Sequence, residues 1–300
     1  MSDTIDIDQA TEVFAEHREL LFAIAYQLLG SVADTEDVLQ ETWLSWAAAD
    51  RDRVDNDRAY LVRIAINQAL DRLRRAQRNR ETYVGPWLPE PLIADADASE
   101  DVLRAESASL AMLVVLETLT PLERAVFVLR EAFGYDHNEI ATMLGRSPEA
   151  VRQLAHRARS HVRARRPRAG VDARLHKAVT ERFIAATVSG DVAALMELLA
   201  PDVQLWTDTG GAVRAARRVI AGVDKVVRLL VSEKFRPVVA DADLRFVTAN
   251  GEPAVMLYIG DHPYAFGFID VGEDGLIRGL YGILNPEKLR ALAGRSEQSP

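Results

Sequence analysis

The apolar pattern of the chain changes period once, and that change sets what it can fold into. Up to about Arg168 the repeat is helical. Val13, Phe14, Leu20, Leu21, Ile24, Ala25, Leu28 and Leu29 recur on one helix face, and Gly30 stops the run. The same spacing predicts helices from Thr35 to about Ala49, from Ala59 to about Arg80, and again from near Glu106. After Pro167 and Gly170, two helices (about Asp172 to Ser189 and Asp191 to Leu199) lead into segments rich in β-branched and aromatic residues. These are Leu244 to Thr248, Ala254 to Ile259, Tyr264 to Val271 and Ile277 to Leu284. Asn250-Gly251 and Asp274-Gly275 fall between strand candidates, where residues that accept positive φ make hairpins. Helices followed by an antiparallel meander predict an α+β domain behind an all-α part.

A chain of 300 residues suits several domains, because single cores rarely grow that large. The expected division is 1–84 and 106–168 as helical domains, 85–105 as a linker, and 169–300 as the α+β domain. Gly85, Pro86, Pro89 and Pro91 mark the linker, which then becomes acidic and alanine-rich through Asp101. No internal repeat is visible. The apolar run Leu110 to Leu116 is too short to span a bilayer, and Met1 to Asp8 is acidic where a signal peptide is basic and apolar. A cytoplasmic protein with no membrane partner is expected. Cysteine is absent, which excludes disulfides and thiolate-ligated zinc, and nothing calls for a cofactor or metal.

The net charge of −9 conceals opposite blocks. Arg72, Arg74, Arg75, Arg78 and Arg80 form one basic run, and Arg152, Arg157, Arg159, Arg163, Arg165, Arg166 and Arg168 another. Acids gather at Asp34 to Glu41, Asp50 to Asp57 and Asp95 to Asp101. Such separation suggests one surface for phosphates and another for a basic partner.

On the second helix Asp34, Glu36, Asp37, Gln40 and Glu41 form a polar ridge, with Leu39, Trp43 and Trp46 on an aromatic seam. On the third, Arg63, Asn67, Asp71, Arg74 and Arg78 line one stripe, while Val62, Ile66, Ala69, Leu70 and Leu73 turn inward. A polar stripe ending in arginines fits a DNA backbone. Further on, Thr120-Pro121-Leu122-Glu123 is a capping box, and Asp136-His137-Asn138-Glu139 repeats its logic. Gly145 then allows a turn, Ser147 can cap, and Pro148 starts a helix with Val151, Leu154, Ala155, Ala158 and Val162 inward. Pro148, Glu149, Arg152, Gln153, His156 and Arg157 lie at or near its exposed side. Helix, glycine turn, then a helix with a basic N-terminal half is a helix-turn-helix arrangement.

These motifs resemble those of extracytoplasmic-function sigma factors. Asp34 to Leu44 looks like their polymerase-clamp-binding helix, Tyr60 to Arg75 like their −10-reading helix, and Leu119 to Arg166 like their −35-reading domain four. The remainder is similar to the subgroup with a fused SnoaL-like, NTF2-like domain, sometimes called the sigma-J type. Trp87-Leu88-Pro89-Glu90-Pro91 and Asn285-Pro286-Glu287-Lys288-Leu289 match two of its signatures. A third, Asp-Gly-Gly-Gly-Lys, appears as Asp208-Thr209-Gly210-Gly211-Ala212, without the lysine and one glycine.

The resemblance implies a multidomain fold of helical sigma domain two, helix-turn-helix domain four and an α+β cone. It implies core RNA polymerase and promoter DNA as partners, and no catalytic chemistry. Asp34, Glu36, Asp37, Gln40 and Glu41 would meet the polymerase. Arg63, Asn67, Asp71, Arg74 and Arg78 would serve the −10 element, together with the loop Arg51 to Asp57. Pro148, Glu149, Arg152, Gln153, His156 and Arg157 would serve the −35 element. Trp87, Pro89, Asp208, Asn285 and Lys288 are candidate interdomain residues, through which the C-terminal domain would regulate in cis and replace a separate anti-sigma factor. Two alternatives stay open: a small-molecule pocket in the cone, or an isomerase-like enzyme built from Asp208, His262, Tyr258, Tyr264 and Tyr281. A plain DNA-binding repressor would leave the Asp34 ridge unemployed.

Overall fold

The computed structural model describes residues 2–80, 82–93, 108–165, 171–213 and 215–296. The acidic stretch Asp95 to Asp101, the expected helix start at Glu106 and the arginines Arg166 and Arg168 lie outside them. The chain divides into two compact units. One holds residues 2–80, 108 and 115–165, the other 82–93, 109–114, 171–213 and 215–296. Helices that the sequence places in two separate domains thus share one unit, and residues 85–93 of the expected linker belong to the second.

The first unit begins with three helices, α1 (Ser2–Leu29), α2 (Val32–Ala47) and α3 (Asp57–Arg80). Ser31 caps α2, its hydroxyl accepting from the Asp34 N–H. Leu21, Ile24 and Leu28 of α1, Val38 and Trp46 of α2, and Leu61, Ile66 and Leu73 of α3 are buried. The Trp46 indole N–H donates to the Ala10 carbonyl at 3.0 Å, which satisfies the one polar group of that buried ring. Beyond α4 (Leu110–Leu116), whose residues 110–114 are assigned to the second unit, the first unit continues with α5 (Pro121–Phe127), a single π-helical turn (Val128–Ala132), α6 (His137–Leu144) and α7 (Pro148–Arg165). Both capping boxes read from the sequence form, at Thr120/Glu123 and Asp136/Glu139.

In the second unit α8 (Ala173–Ser189) and α9 (Val192–Leu198) precede β1 (Leu199–Asp208) and β2 (Ile220–Ala221). Then follow α10 (Val223–Leu230), α11 (Arg236–Ala240), β3 (Asp243–Ala249), β4 (Glu252–Ile259), β5 (His262–Val271), β6 (Ile277–Ile283) and α12 (Pro286–Ser296). The six strands form one sheet in the order β2-β1-β6-β5-β4-β3. Asn250 and Gly251 carry the hairpin between β3 and β4 with φ of 50° and 76°.

The four expected strands, β3 to β6, form the antiparallel meander, and the sheet extends beyond it. It is mixed, because β1 runs parallel to β6 and carries β2 at the far edge. The sequence hid β1 because Pro201 and Asp202 interrupt its alternation, and the ladder shifts register between Leu199 and Gln204. One sheet face, with Val203, Ile269, Ile277 and Leu280, packs on Val179 and Phe183 of α8, Leu195 and Leu198 of α9, and Val226 and Leu230 of α10. α12 packs against β5. Among the described residues, no helix is long and apolar enough to cross a membrane.

Candidate functional site

The α2 ridge is built around intramolecular partners. From α3, Arg72 reaches Asp37 at 2.5 Å, Glu41 at 3.0 Å and Asp34 at 3.4 Å. Burial works to lower the Arg72 pKa, but its bond to Asp37 and the charges of Glu41, Asp37 and Asp34 raise it overall. Arg18 of α1 holds Glu36, its Nη2 donating to both carboxylate oxygens at 2.8 and 2.9 Å. Gln40 is exposed. The basic run Arg72 to Arg80 is therefore not one surface, as its sequence suggests. Arg72 turns to the acids, Arg80 turns inward onto Glu117, and Arg74, Arg75 and Arg78 stay exposed.

The α3 stripe emerges as read. Arg63, Asn67, Asp71, Arg74 and Arg78 are exposed, opposite buried Val62, Ile66, Ala69, Leu70 and Leu73. Arg63 lies over the Tyr60 ring at 5.1 Å, and Arg74 bonds Asp71 at 2.6 Å.

The turn motif is fixed at each end. The Asp136 carboxylate accepts from the Asn138 and Glu139 N–H groups, and those two bonds hold its pKa below the usual range. Gly145 closes α6 in the left-handed region, at φ 61° and ψ 43°. The Ser147 hydroxyl then accepts from the Ala150 N–H at 3.2 Å. On α7, Val151, Leu154, Ala155, Ala158 and Val162 are buried, which leaves Pro148, Glu149, Arg152, Gln153, His156 and Arg157 exposed. Glu149, Arg152, Gln153, His156 and Arg157 line one open groove. Arg157 and Arg159 also pair with Glu123 and Glu131.

The interdomain candidates converge within the second unit on Asp208, which is 0% exposed at the end of β1. Its carboxylate accepts from the Tyr83 hydroxyl at 2.5 Å, the Leu88 N–H at 3.0 Å, the Lys288 ammonium at 2.8 Å and the Gly210 N–H at 3.2 Å. Lys288 also donates to the Leu88 carbonyl and lies 4.2 Å from the Trp87 ring centre. Asn285 donates to the Tyr83 hydroxyl at 3.0 Å and accepts from the Glu287 N–H at 3.0 Å. Burial, then the bond to Asp208 and its charge, push the Tyr83 phenol well above its ordinary pKa. Pro89 is buried beside them in the chain. Gly210, at φ 59°, leaves no room for a Cβ, which would sit 2.7 Å from the Asn285 amide nitrogen.

Comparison with known proteins fits this geometry. The Sigma-70 region 2 family matches residues 13–79, and the Sigma-70 region 4 family matches residues 109–162. The chain is 37% identical to the ECF RNA polymerase sigma factor SigJ of Mycobacterium tuberculosis, over 92% of this chain and 91% of that one. The chain belongs to the ECF sigma factor family. The probable ECF RNA polymerase sigma factor SigI of M. tuberculosis is 31% identical over 95% of this sigma factor and 96% of its own length. The crystal structure of M. tuberculosis SigJ superposes with a TM-score of 0.74 at 34% identity, covering 93% of this chain and 98% of that one. Membership makes the protein a factor for promoter-specific transcription initiation rather than an enzyme.

Of the residues that an isomerase would need, Asp208, Tyr258 and Tyr281 are otherwise engaged in this sigma factor. Asp208 is fully buried and committed to four donors. His262 is exposed, Tyr258 lies under the Arg245 guanidinium at 4.1 Å, and Tyr281 stacks on Phe268 at 4.6 Å. Tyr264 is half-buried. Among the described residues no cluster of three or more His, Cys, Asp or Glu could hold a metal ion. Sequence reasoning missed Tyr83, Arg18 and the role of Arg72 in binding the α2 acids from α3. Tyr83 stands four residues before Trp87 with no motif of its own, and nothing in a single sequence pairs positions 72 and 37.

Proposed function

We propose that this sigma factor joins core RNA polymerase through Asp34, Glu36, Asp37, Gln40 and Glu41. It reads the −10 element with Arg63, Asn67, Asp71, Arg74 and Arg78, and the −35 element with the first turns of α7. The observation that carries the reading is α7 itself. A capped turn presents Arg152, Gln153 and His156 outward from a helix whose other face is apolar core. Arg, Gln and His at the N-terminal end of such a helix are suited to base edges in a major groove. Residues 1–84 and 106–168 act as sigma domains two and four, and the protein works in the cytoplasm.

The C-terminal domain regulates in cis, so that no separate anti-sigma factor is required. Support comes from the buried Asp208 carboxylate, which fastens residues 83–88 to the sheet and to Lys288 of α12. Tension or ordering in that strap is thereby tied to the state of the domain, at the high effective concentration a single chain provides. Promoter output with core polymerase tests the proposal, comparing the full chain with Asp208→Asn and Lys288→Met. Altered output from an unchanged start site is expected. Output identical to the parent from both folded variants would reject cis regulation and return the domain to small-molecule binding.

A further inference from the structure

Within the second unit the strap is tied at two places, and the far one is built differently from the Asp208 anchor. Asn250 stands at the tip of the β3–β4 hairpin, 6% exposed, with its backbone in the left-handed region at φ 50°, which asparagine tolerates better than most side chains. It holds both backbone groups of Leu92. The Asn250 N–H donates to the Leu92 carbonyl at 2.9 Å, and the Asn250 Oδ1 accepts from the Leu92 N–H at 2.9 Å. Ile93 then pairs antiparallel with Ala249, the last residue of β3. One asparagine thus offers the strap the hydrogen bonds of a strand edge.

The residue that closes this hairpin is an acid. Ala249 pairs across the turn with Glu252, and two residues along β4 Ala254 pairs with Phe268 of β5. Carried back by two residues, that register sets Glu252 and Asp270 opposite each other on one face of the sheet. Both are half-buried. Like charges directly opposite on neighbouring strands destabilise the pairing, and burial adds to the penalty. Burial, and for Glu252 also the charge of Asp270, holds both carboxyls above the ordinary range, Glu252 at about 7 and Asp270 at about 6. On β6 the Tyr281 ring lies over Gly279, the partner of Asp270, where a Cβ would sit 2.5 Å from the phenol oxygen. Burial, then the charges of Asp270 and Glu252, push that phenol above its ordinary value, so it stays neutral beside them. Arg278, whose charge opposes that of Asp270, is drawn to Asp274 at 2.5 Å. Asp243 and Arg245 of β3 pair with each other, and Lys288 of α12 is held by Asp208, while Glu287 and Arg290 of that helix are exposed. α8 covers the opposite face, where His176 is bound to the Ile269 carbonyl. Between Leu88 and Ile93 the strap itself brings Glu90.

From this arrangement we infer that Asn250, Glu252 and Asp270 form a proton-gated clasp, which holds Leu92 while the acid pair keeps a proton and releases it when both carboxylates ionise. The Ala249–Glu252 pair closes the turn that aims Asn250 at the strap. An ionised Glu252 gains by moving away from Asp270 into water. It does so by loosening that pair, which takes the Asn250 side chain off Leu92. Acids raised in the closed form favour closure below the ordinary range near 4, and that support is lost as pH rises through about 6 to about 7. The Asp208 anchor stands apart, because its carboxylate pairs with Lys288. Closure of the clasp does not depend on the cis-regulation reading; only its effect on promoter output rests on that.

Amide exchange in the full chain, expressed at each pH as protection relative to an unstructured peptide, reads the clasp at Leu92 and the anchor at Leu88. Protection of Leu92 should fall by about tenfold or more between pH 5 and pH 8, because one raised acid shifts an opening equilibrium by about tenfold per pH unit below its closed-state value. Protection of Leu88 should stay level over that range. Glu252→Gln is neutral throughout and should keep Leu92 at pH 8 as protected as at pH 5, and Asp270→Asn should do so in part. Asn250→Gly keeps the positive φ but loses the acceptor, and should leave Leu92 unprotected at both pH values. Protection of Leu92 that is flat with pH in the parent, or a fall that persists in both acid variants, overturns the clasp. Equal falls at Leu88 and Leu92 overturn it too, by showing that the whole domain loosens. Release that Glu252→Gln abolishes, with promoter output at the parent level in Asn250→Gly, upholds the clasp and overturns its part in cis regulation.

Discussion

Glu252 and Asp270 stand on adjoining strands of the C-terminal sheet, half-buried and of like charge. Burial, then the charge of Asp270, push the Glu252 carboxyl up to about 7. Burial pushes Asp270 up to about 6, against the opposing charge of Arg278. Both folded values exceed the ordinary carboxylate range near 4. The protonated forms therefore favour the fold: their contribution is complete below about pH 4 and is lost as pH rises through about 6 to about 7. Glu252→Gln, which stays neutral, should melt about 2–4 °C higher than the parent at pH 8 and close to it at pH 4. An unchanged difference between the two pH values in thermal melts would show that these carboxylates do not titrate as described. At the same scale, Asp208 differs from both. Its charge is met by Lys288 and three further donors, so removal of one partner leaves a buried carboxylate short of compensation.

Two elements carry the proposed recognition surfaces, and they differ in how they hold their charges. On α2 the acids are already bound by Arg72 and Arg18, so any basic partner must share them. Asp37→Lys with Glu41→Lys places two cations beside Arg72 and should weaken association with core polymerase at least tenfold, more at low salt than at high. Affinity equal to the parent in the folded double variant, measured at two ionic strengths, would remove α2 from the interface. On α7 the exposed groups divide by position along the helix. Arg152→Ala or Gln153→Ala should each cost about 1–3 kcal/mol and relax preference at particular base pairs. Arg163→Ala, further along and exposed, should weaken binding evenly across promoters. Equal losses on specific and scrambled −35 sequences for all three would refute a base-reading role.

At the scale of the whole molecule, the segment between the helical motifs is not merely a tether. Residues 82–93 belong to the C-terminal unit, where Tyr83 and Leu88 bond Asp208, and Leu92 donates to Asn250 at 2.9 Å. Asn285 opens α12 by accepting from the Glu287 N–H, and Lys288 follows on its first turn. Trimming the chain within 285–289 should therefore release the strap and change promoter output without changing promoter choice. Matching output from the trimmed and full chains at equal folded concentration would contradict that coupling.

Periodicity, capping boxes, the Asn250-Gly251 turn and the helix-turn-helix spacing were determined by sequence alone, because each depends on residues a few positions apart. Helix caps and stripes such as Arg63, Asn67 and Asp71, or Arg152 and His156, follow from local geometry, so their exposed faces are legible in the residue spacing itself. Strand β1 was not legible, since Pro201 and Asp202 break its alternation and its parallel partner β6 lies far along the chain. Nor were the partners of Arg72, Arg80 and Asp208. Each meets charges or carbonyls distant in sequence, and a sequence records which ions exist but not which are desolvated together. Only the tertiary structure decided that one basic run splits three ways, that an acid beside a turn is fully buried, and that the first helices and the turn motif form one unit. The reason is physical: burial makes the pairing of distant charges obligatory, and burial is a property of the packed chain.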